Sequence, residues 1–236
     1  MTSWIKDLGD AVVDMFWPNV CKICGQTLVS GEHTLCLGCL LDMPVTNNHR
    51  QLNNSIHHRI AATTPTIHKA AAYFHYTPGT PYARLLIDAK YRRQPWIDKH
   101  LARTYACRLR EEQWFDGFDA IMPVPMHPWK QLRRGYNQAE VIASEVAKTA
   151  SIPVLDNLRC SRRHGTQTHL GRLDRWINAS NTYTVEYPEE LDSMHLLIVD
   201  DIITTGSTIL SCCQTIHAGN PTAEFSVLAL GLTTQR

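Results

Sequence analysis

From residue 67 onward, short apolar runs alternate with longer stretches of helical period, and this alternation restricts the fold more than any other feature of the 236-residue chain. KAAAYFHY, FDAIMPVP, IPVLDNLRC, HLLIVDD and EFSVLALGLT read as short, largely apolar strands, FDAIMPVP as a buried one. PYARLLIDAKYRR, IDKHLARTYACRLREEQ, QAEVIASEVAKTA and TILSCCQTIHAG, the last closing at Gly219, read as the helices between them. Buried strands separated by helices imply an α/β fold with a mostly parallel sheet covered on both faces. Ligands of such sheets bind beyond the carboxyl ends of the strands. Two stretches fall there: PVPMHPWKQLRRGYN (123–137) and DDIITTGST (200–208).

Ahead of the sheet lies CKICGQTLVSGEHTLCLGC, in which Cys21 and Cys24 are separated from Cys36 and Cys39 by eleven residues. Two Cys-x-x-Cys knuckles at this separation suit one tetrahedral zinc ion, with all four positions filled by protein and none left for catalysis. The zinc is expected to be structural, holding a segment too small to build its own core. Residues 1–17 read as a short amphipathic helix stopped at Pro18, and residues 44–66 as a polar linker with one short helix. The expected division is residues 1–65 for helix, four-cysteine module and linker, and 66–236 for the α/β domain.

The charge balance, 23 Lys+Arg against 22 Asp+Glu, excludes a polycationic tail, so any nucleic-acid contact must come from local patches. No apolar run approaches the roughly 20 residues of a membrane helix. Asp7, Asp10 and Asp14 interrupt any signal-peptide core, so no membrane insertion and a cytoplasmic location are expected.

The chemistry concentrates in LLIVDDIITTGST. Thr204, Thr205, Gly206, Ser207 and Thr208 bring hydroxyls and a glycine to the start of a helix, where freed N–H groups and the helix dipole can seat a phosphate dianion. Asp200 and Asp201 stand just upstream. A Walker site would need a Gly-Lys pair and a Rossmann site a Gly-x-Gly-x-x-Gly, and the chain has neither. A ligand with one phosphate at the turn and hydroxyls, or a metal-bound group, two or three residues upstream describes a ribose 5-phosphate.

This stretch resembles the 5-phosphoribosyl-1-pyrophosphate (PRPP) loop of type I phosphoribosyltransferases. Together with the cysteine quartet, Pro123 and Pro125, Arg134 to Gln138, and Gln167, Leu170, Arg175, Asn178 and Tyr183, it resembles the ComF family of competence-associated, phosphoribosyltransferase-like proteins. The resemblance implies a type I phosphoribosyltransferase fold with a small N-terminal four-cysteine zinc ribbon, PRPP bound with Mg²⁺, and a role in natural competence, DNA uptake or DNA utilisation. In that scheme Asp200 and Asp201 handle the ribose hydroxyls directly or through Mg²⁺, and Thr204 to Thr208 hold the 5-phosphate. Arg133, Arg134 and Gly135 offer a second anion site for the pyrophosphate. Residues 159–183, which carry Arg162, Arg163 and Arg175, correspond to a hood that closes on the substrate.

Three stretches interleave basic and aromatic residues: KYRRQPW with Lys90, Arg92 and Arg93, WKQLRRGY with Trp129 and Tyr136, and RRHGTQTHLGRLDRW. Cations that track phosphates beside rings that stack on bases suit single-stranded DNA. Two functional readings therefore stand. One is a phosphoribosyltransferase with an unidentified acceptor. The other is a non-catalytic PRPP-sensing protein that binds single-stranded DNA or other competence proteins. Fold alone does not separate them.

Overall fold

The computed structural model describes residues 19–60, 65–160 and 182–234. The helices are α1 (Leu37–Leu41), α2 (Ser55–Ile60), α3 (Pro81–Arg92), α4 (Pro95–Glu111), α5 (Pro128–Arg134), α6 (Gln138–Ala150) and α7 (Ser207–Gly219). The strands are β1 (Ile67–Tyr76), β2 (Ala120–Pro123), β3 (Leu158–Cys160), β4 (Tyr183–Val185), β5 (His195–Ile203) and β6 (Glu224–Thr233). Strands β1, β6, β5 and β2 hydrogen-bond in that order into one sheet, and every pairing is parallel.

Alternation along the strands divides the core in two. On one face Leu197, Val199, Leu228, Leu230 and Ile121 pack with Leu85 and Leu86 of α3, Leu101 and Tyr105 of α4, and Ile142 and Val146 of α6. On the other, Leu196, Ile198, Val227, Ala229 and Met122 pack with Ile56 and Ile60 of α2 and Ile209, Cys212 and Ile216 of α7. Both faces are thus removed from water, and this is why the strands are continuously apolar. The expected α/β class, a parallel sheet flanked by helices, is what the chain adopts.

Three segments depart from the expectations. IPVLDNLRC is not one strand: Val154 bridges in parallel to Ile121 at the edge of the main sheet, whereas β3 turns away and pairs antiparallel with β4. The break falls at buried Asn157, whose Oδ1 accepts from the N–H groups of Glu186 (3.1 Å) and Tyr187 (2.7 Å) while Nδ2 donates to Tyr187 O (2.8 Å). PVPMHPWKQLRRGYN contains a helix, α5, begun by Pro128 at its first turn and ended at Gly135, whose φ of +94° suits a residue without a β-carbon.

The third departure is the polar stretch read as a linker, which is docked along the open edge of β1. Val45 bridges to Phe74, Thr46 N–H donates to Tyr73 O (3.0 Å), and Asn54 Nδ2 donates to Ala70 O (2.8 Å). Backbone and side-chain groups of the segment thereby cover an edge that would otherwise expose unpaired backbone. The N-terminal helix expected over residues 1–17 and the hood residues Arg162, Arg163 and Arg175 lie outside the described residues, as do Gln167, Leu170 and Asn178.

Candidate functional site

The carboxyl ends of β2 and β5 open onto a cleft of about 380 Å³. Residues far apart in the chain line it: Pro125, Asn137, Gln138, Tyr183, Asp200, Asp201, Thr204 and Thr208, with the cations Lys90, Lys130 and Arg134. Asp200 and Asp201 are consecutive in β5, so their side chains leave the strand toward opposite faces and span the end of the sheet. Asp201 Oδ2 pairs with Lys90 Nζ of α3 at 3.4 Å. Asp200 Oδ1 accepts from the Asp201 N–H at 2.8 Å. Burial, followed by the charge of Asp201, holds the Asp200 carboxyl well above the usual carboxylate range. A cation beside the pair would reverse this preference and favour two ionised acids.

The turn after β5 is made by Gly206, whose φ of +80° is left-handed, and it leads directly into α7. Gly206 cannot cap α7 with a side chain, and none does so. Thr205 and Ser207 partly take that place: Thr205 Oγ1 donates to Ser207 Oγ (3.0 Å) and accepts from Ser207 N–H (3.4 Å). Thr204 and Thr208 face the cleft. This is a helix start with donors to spare, which suits a phosphate group.

Across the cleft, Asn137 caps α6: its Oδ1 accepts from Ala139 N–H (3.1 Å), and its Nδ2 donates to Val124 O (3.0 Å) and Glu140 Oε1 (3.1 Å). Asn137 is thus a side-chain N-cap, and its bond to Val124 O ties the arginine-bearing segment to the end of β2. Arg134 Nη1 donates to Gln138 Oε1 at 2.7 Å. Gln138 is 2% exposed, and among the described residues its Nε2 has no hydrogen-bond partner.

A second hollow of about 320 Å³ adjoins the first and shares Lys90, Lys130 and Arg134 with it. Tyr91, Arg93, Trp129 and Arg133 complete its lining, which among the described residues contains no acid. Arg133 stacks on Trp129 with its guanidinium carbon 5.8 Å from the ring centre, and Arg134 on Tyr91 at 5.9 Å. Arg93 packs beside Gly135, its Nε 3.7 Å from where a β-carbon would stand. Thr205, Gly206, Ser207 and Gly135 line neither hollow, and Arg92 and Tyr136 lie apart from both. Arg92 pairs with Asp88 at 3.2 Å, and Tyr136 is turned inward, its hydroxyl on Ala89 O and near Asp98.

Lys130, Tyr91, Asp98 and Gln138 carried no separate signal in the sequence. Lys130 and Tyr91 sit within the basic stretches, and Gln138 within the Arg-Gly-aromatic-Asn-Gln run, so the motifs held them without distinguishing them. Asp98 looked like an ordinary helical acid.

The cysteine quartet converges as its spacing anticipates. The sulfur atoms of Cys21, Cys24, Cys36 and Cys39 all lie within 4.8 Å of one another, with Cys24 Sγ and Cys36 Sγ 3.7 Å apart. Tetrahedral Zn–S bonds of ~2.3 Å give S···S edges of roughly 3.8 Å, so the residues fit such an ion. Burial works against ionisation of Cys21, but N–H groups of Cys24, Cys36 and Ile23 outweigh it and bring the thiol down to about 6. The four cysteines could hold a metal ion.

No protein-family model matches the chain. Competence protein F of Haemophilus influenzae (strain ATCC 51907 / DSM 11121 / KW20 / Rd) is 34% identical over 134 residues, 55% of this chain and 58% of that protein. DNA utilization protein YhgH of Escherichia coli (strain K12) is 25% identical over 200 residues, 83% of each chain. The Salmonella typhi protein of the same name is 27% identical over 201 residues, again 83% of each. The chain is similar to these proteins, whose names accord with the resemblance that its motifs carry.

The match spans somewhat over half the length of Competence protein F and most of YhgH. Among solved structures, glutamine PRPP amidotransferase from B. subtilis complexed with ADP and GMP is similar at a TM-score of 0.41, with 14% identity, over 60% of this chain and 30% of that one. Adenine phosphoribosyltransferase from Leishmania tarentolae is similar at 0.39, with 12% identity, over 87% and 90%.

Proposed function

We propose that this protein binds PRPP with Mg²⁺ at the end of β5 and serves competence or DNA utilisation, the roles for which its homologues are named. One observation carries the reading. Residues of three separate motifs, around Pro125, Asn137 and Asp200–Thr208, line one cleft together with Tyr183. The acid pair suits the ribose hydroxyls, Thr204 to Thr208 the 5-phosphate, and Arg134 and Lys130 the pyrophosphate. Mg²⁺, a hard cation, would be held by Asp200 and Asp201 and would supply charge neutralisation where their carboxylates crowd. The cysteine quartet holds a structural zinc in this reading, with no position open to substrate.

The test is a calorimetric titration with PRPP and Mg²⁺. The wild-type protein is expected to bind, and the Asp200→Asn, Asp201→Asn double variant to lose binding; equal affinity in the two would remove the site assignment. Pyrophosphate release with a panel of acceptors then separates transferase from sensor.

A second reading rests on the acid-free hollow around Trp129, where five cations and two aromatic side chains meet. That composition suits the backbone and bases of single-stranded DNA. Binding of an oligonucleotide is expected to weaken as salt rises, and to weaken further in Arg133→Ala. Salt-independent binding would remove this reading.

A further inference from the structure

The turn at residues 204–208 contains no basic residue, and two carboxylates, Asp200 and Asp201, stand four and three residues before it. A cation nevertheless reaches it from α2. Arg59 Nη1 donates to Thr204 O at 2.6 Å and to Thr233 Oγ1 at 3.0 Å, and its Nη2 donates to Thr233 O. One side chain thus ties the first residue of the turn to the end of β6. Next to it, Ile60 closes the back of the turn, and a β-carbon on Gly206 would stand 2.9 Å from Ile60 Cγ1.

The electrostatics of Arg59 are unusual. Its hydrogen bonds go to carbonyl and hydroxyl oxygens, and among the described residues no carboxylate pairs with it. Among the described residues its buried Nε has no partner. Burial draws its pKa down from the ordinary value, but a guanidinium stays charged in proteins. An uncompensated, partly desolvated cation is costly, and the cost falls when an anion arrives nearby. Backbone geometry adds direction. The C=O and N–H of a trans peptide point opposite ways, so holding Thr204 O toward Arg59 turns the Thr205 N–H away from it, free for an acceptor on the other side of the turn.

We propose that Arg59 is a positioning residue of the phosphate turn: it fixes the Thr204 peptide against β6 and supplies the positive charge that lets a phosphate monoester dianion settle beside Asp200 and Asp201. This rests on the PRPP reading. It also gives the docked segment 44–60 a purpose, since α2 delivers the one cation that the described structure bonds to the turn backbone.

The experiment pairs two measurements on Arg59→Gln, Arg59→Lys and the wild-type protein. PRPP affinity in the presence of Mg²⁺ is expected to fall at least tenfold in Arg59→Gln and to recover in large part in Arg59→Lys, which keeps a charged donor. Amide exchange at residues 204–208 of the ligand-free protein is expected to quicken in Arg59→Gln. Wild-type affinity together with unchanged exchange in Arg59→Gln overturns the proposal, as does equal loss in both variants, which would make the role one of shape alone. If the wild-type protein takes up no PRPP, the phosphoribosyl reading fails and the exchange rates decide Arg59's role: quickened supports it, unchanged overturns it. Should Arg59→Gln not fold, Arg59→Lys carries the test: partial loss supports the proposal and none overturns it.

Discussion

Asp98 in α4 is 1% exposed; among the described residues its Oδ1 has no partner, and its Oδ2 lies 3.5 Å from Tyr136 Oη. The Tyr136 hydroxyl has one hydrogen, and Ala89 O is its nearer acceptor. A hydrogen bond between Tyr136 and Asp98 therefore needs the acid's own proton. Burial, then the charge of Asp201, pushes the Asp98 carboxyl up to about 8, against smaller pulls from Tyr136 and Lys90. The sign follows from linkage. Between the ordinary value near 3.8 and about 8 the folded state holds a proton that the unfolded state has released, so stability falls as pH rises through that window. Asp98→Asn keeps the shape and the donor but cannot ionise. Urea unfolding of the ligand-free protein at pH 6 and pH 9 is expected to show the variant gaining about 1–3 kcal/mol relative to wild type at the higher pH. Parallel pH profiles would mean that Asp98 is ionised and stabilised by something else.

At the scale of elements, the turn between β5 and α7 is fixed by one residue. Gly206→Ala meets two obstacles, a left-handed φ of +80° and the Ile60 side chain at 2.9 Å. It is expected to destabilise the fold by about 1–3 kcal/mol and to weaken phosphate binding with it. A thermal melt and a phosphate titration check this, and an unchanged melt would show that Ile60 moves freely. The sequence announced this turn because its signals are local, as were those of β5 and β6, whose apolar runs are long and bounded by charge or glycine. The signals it lacked are long-range. Asn157 breaks a strand only because Tyr187 and Glu186 arrive thirty residues later to satisfy it. Residues 44–60 look polar and aperiodic because their partners are backbone atoms of β1 and of the turn, which leave no period in the segment itself. Helix α5 is short enough for its proline, glycine and arginines to pass as loop.

For the molecule as a whole, the cysteine module shares its packing with the sheet. Cys21, Leu35, Cys39 and Met43 belong to the same apolar cluster as α3, α4 and α6, and Tyr82 Oη of α3 donates to Cys39 O at 2.8 Å. The chain then runs from Met43 straight along β1 and on to Arg59. Loss of a metal from the quartet would leave four thiols crowded within 4.8 Å, two of them buried in that cluster. The consequence should be felt beyond the module. Chelation is expected to lower the melting temperature of the full chain by about 10 °C, as a loss of ~3–5 kcal/mol would in a chain of this size, within a single transition. Amide exchange in α3 should rise with it, because the Cys39 carbonyl that receives Tyr82 would no longer be held. Calorimetry with and without chelator, beside a zinc assay of the purified protein, makes the comparison. A zinc-containing protein that melts unchanged after chelation would confine the metal to its own knuckles. Two separate transitions would divide the chain where the shared core says it is continuous.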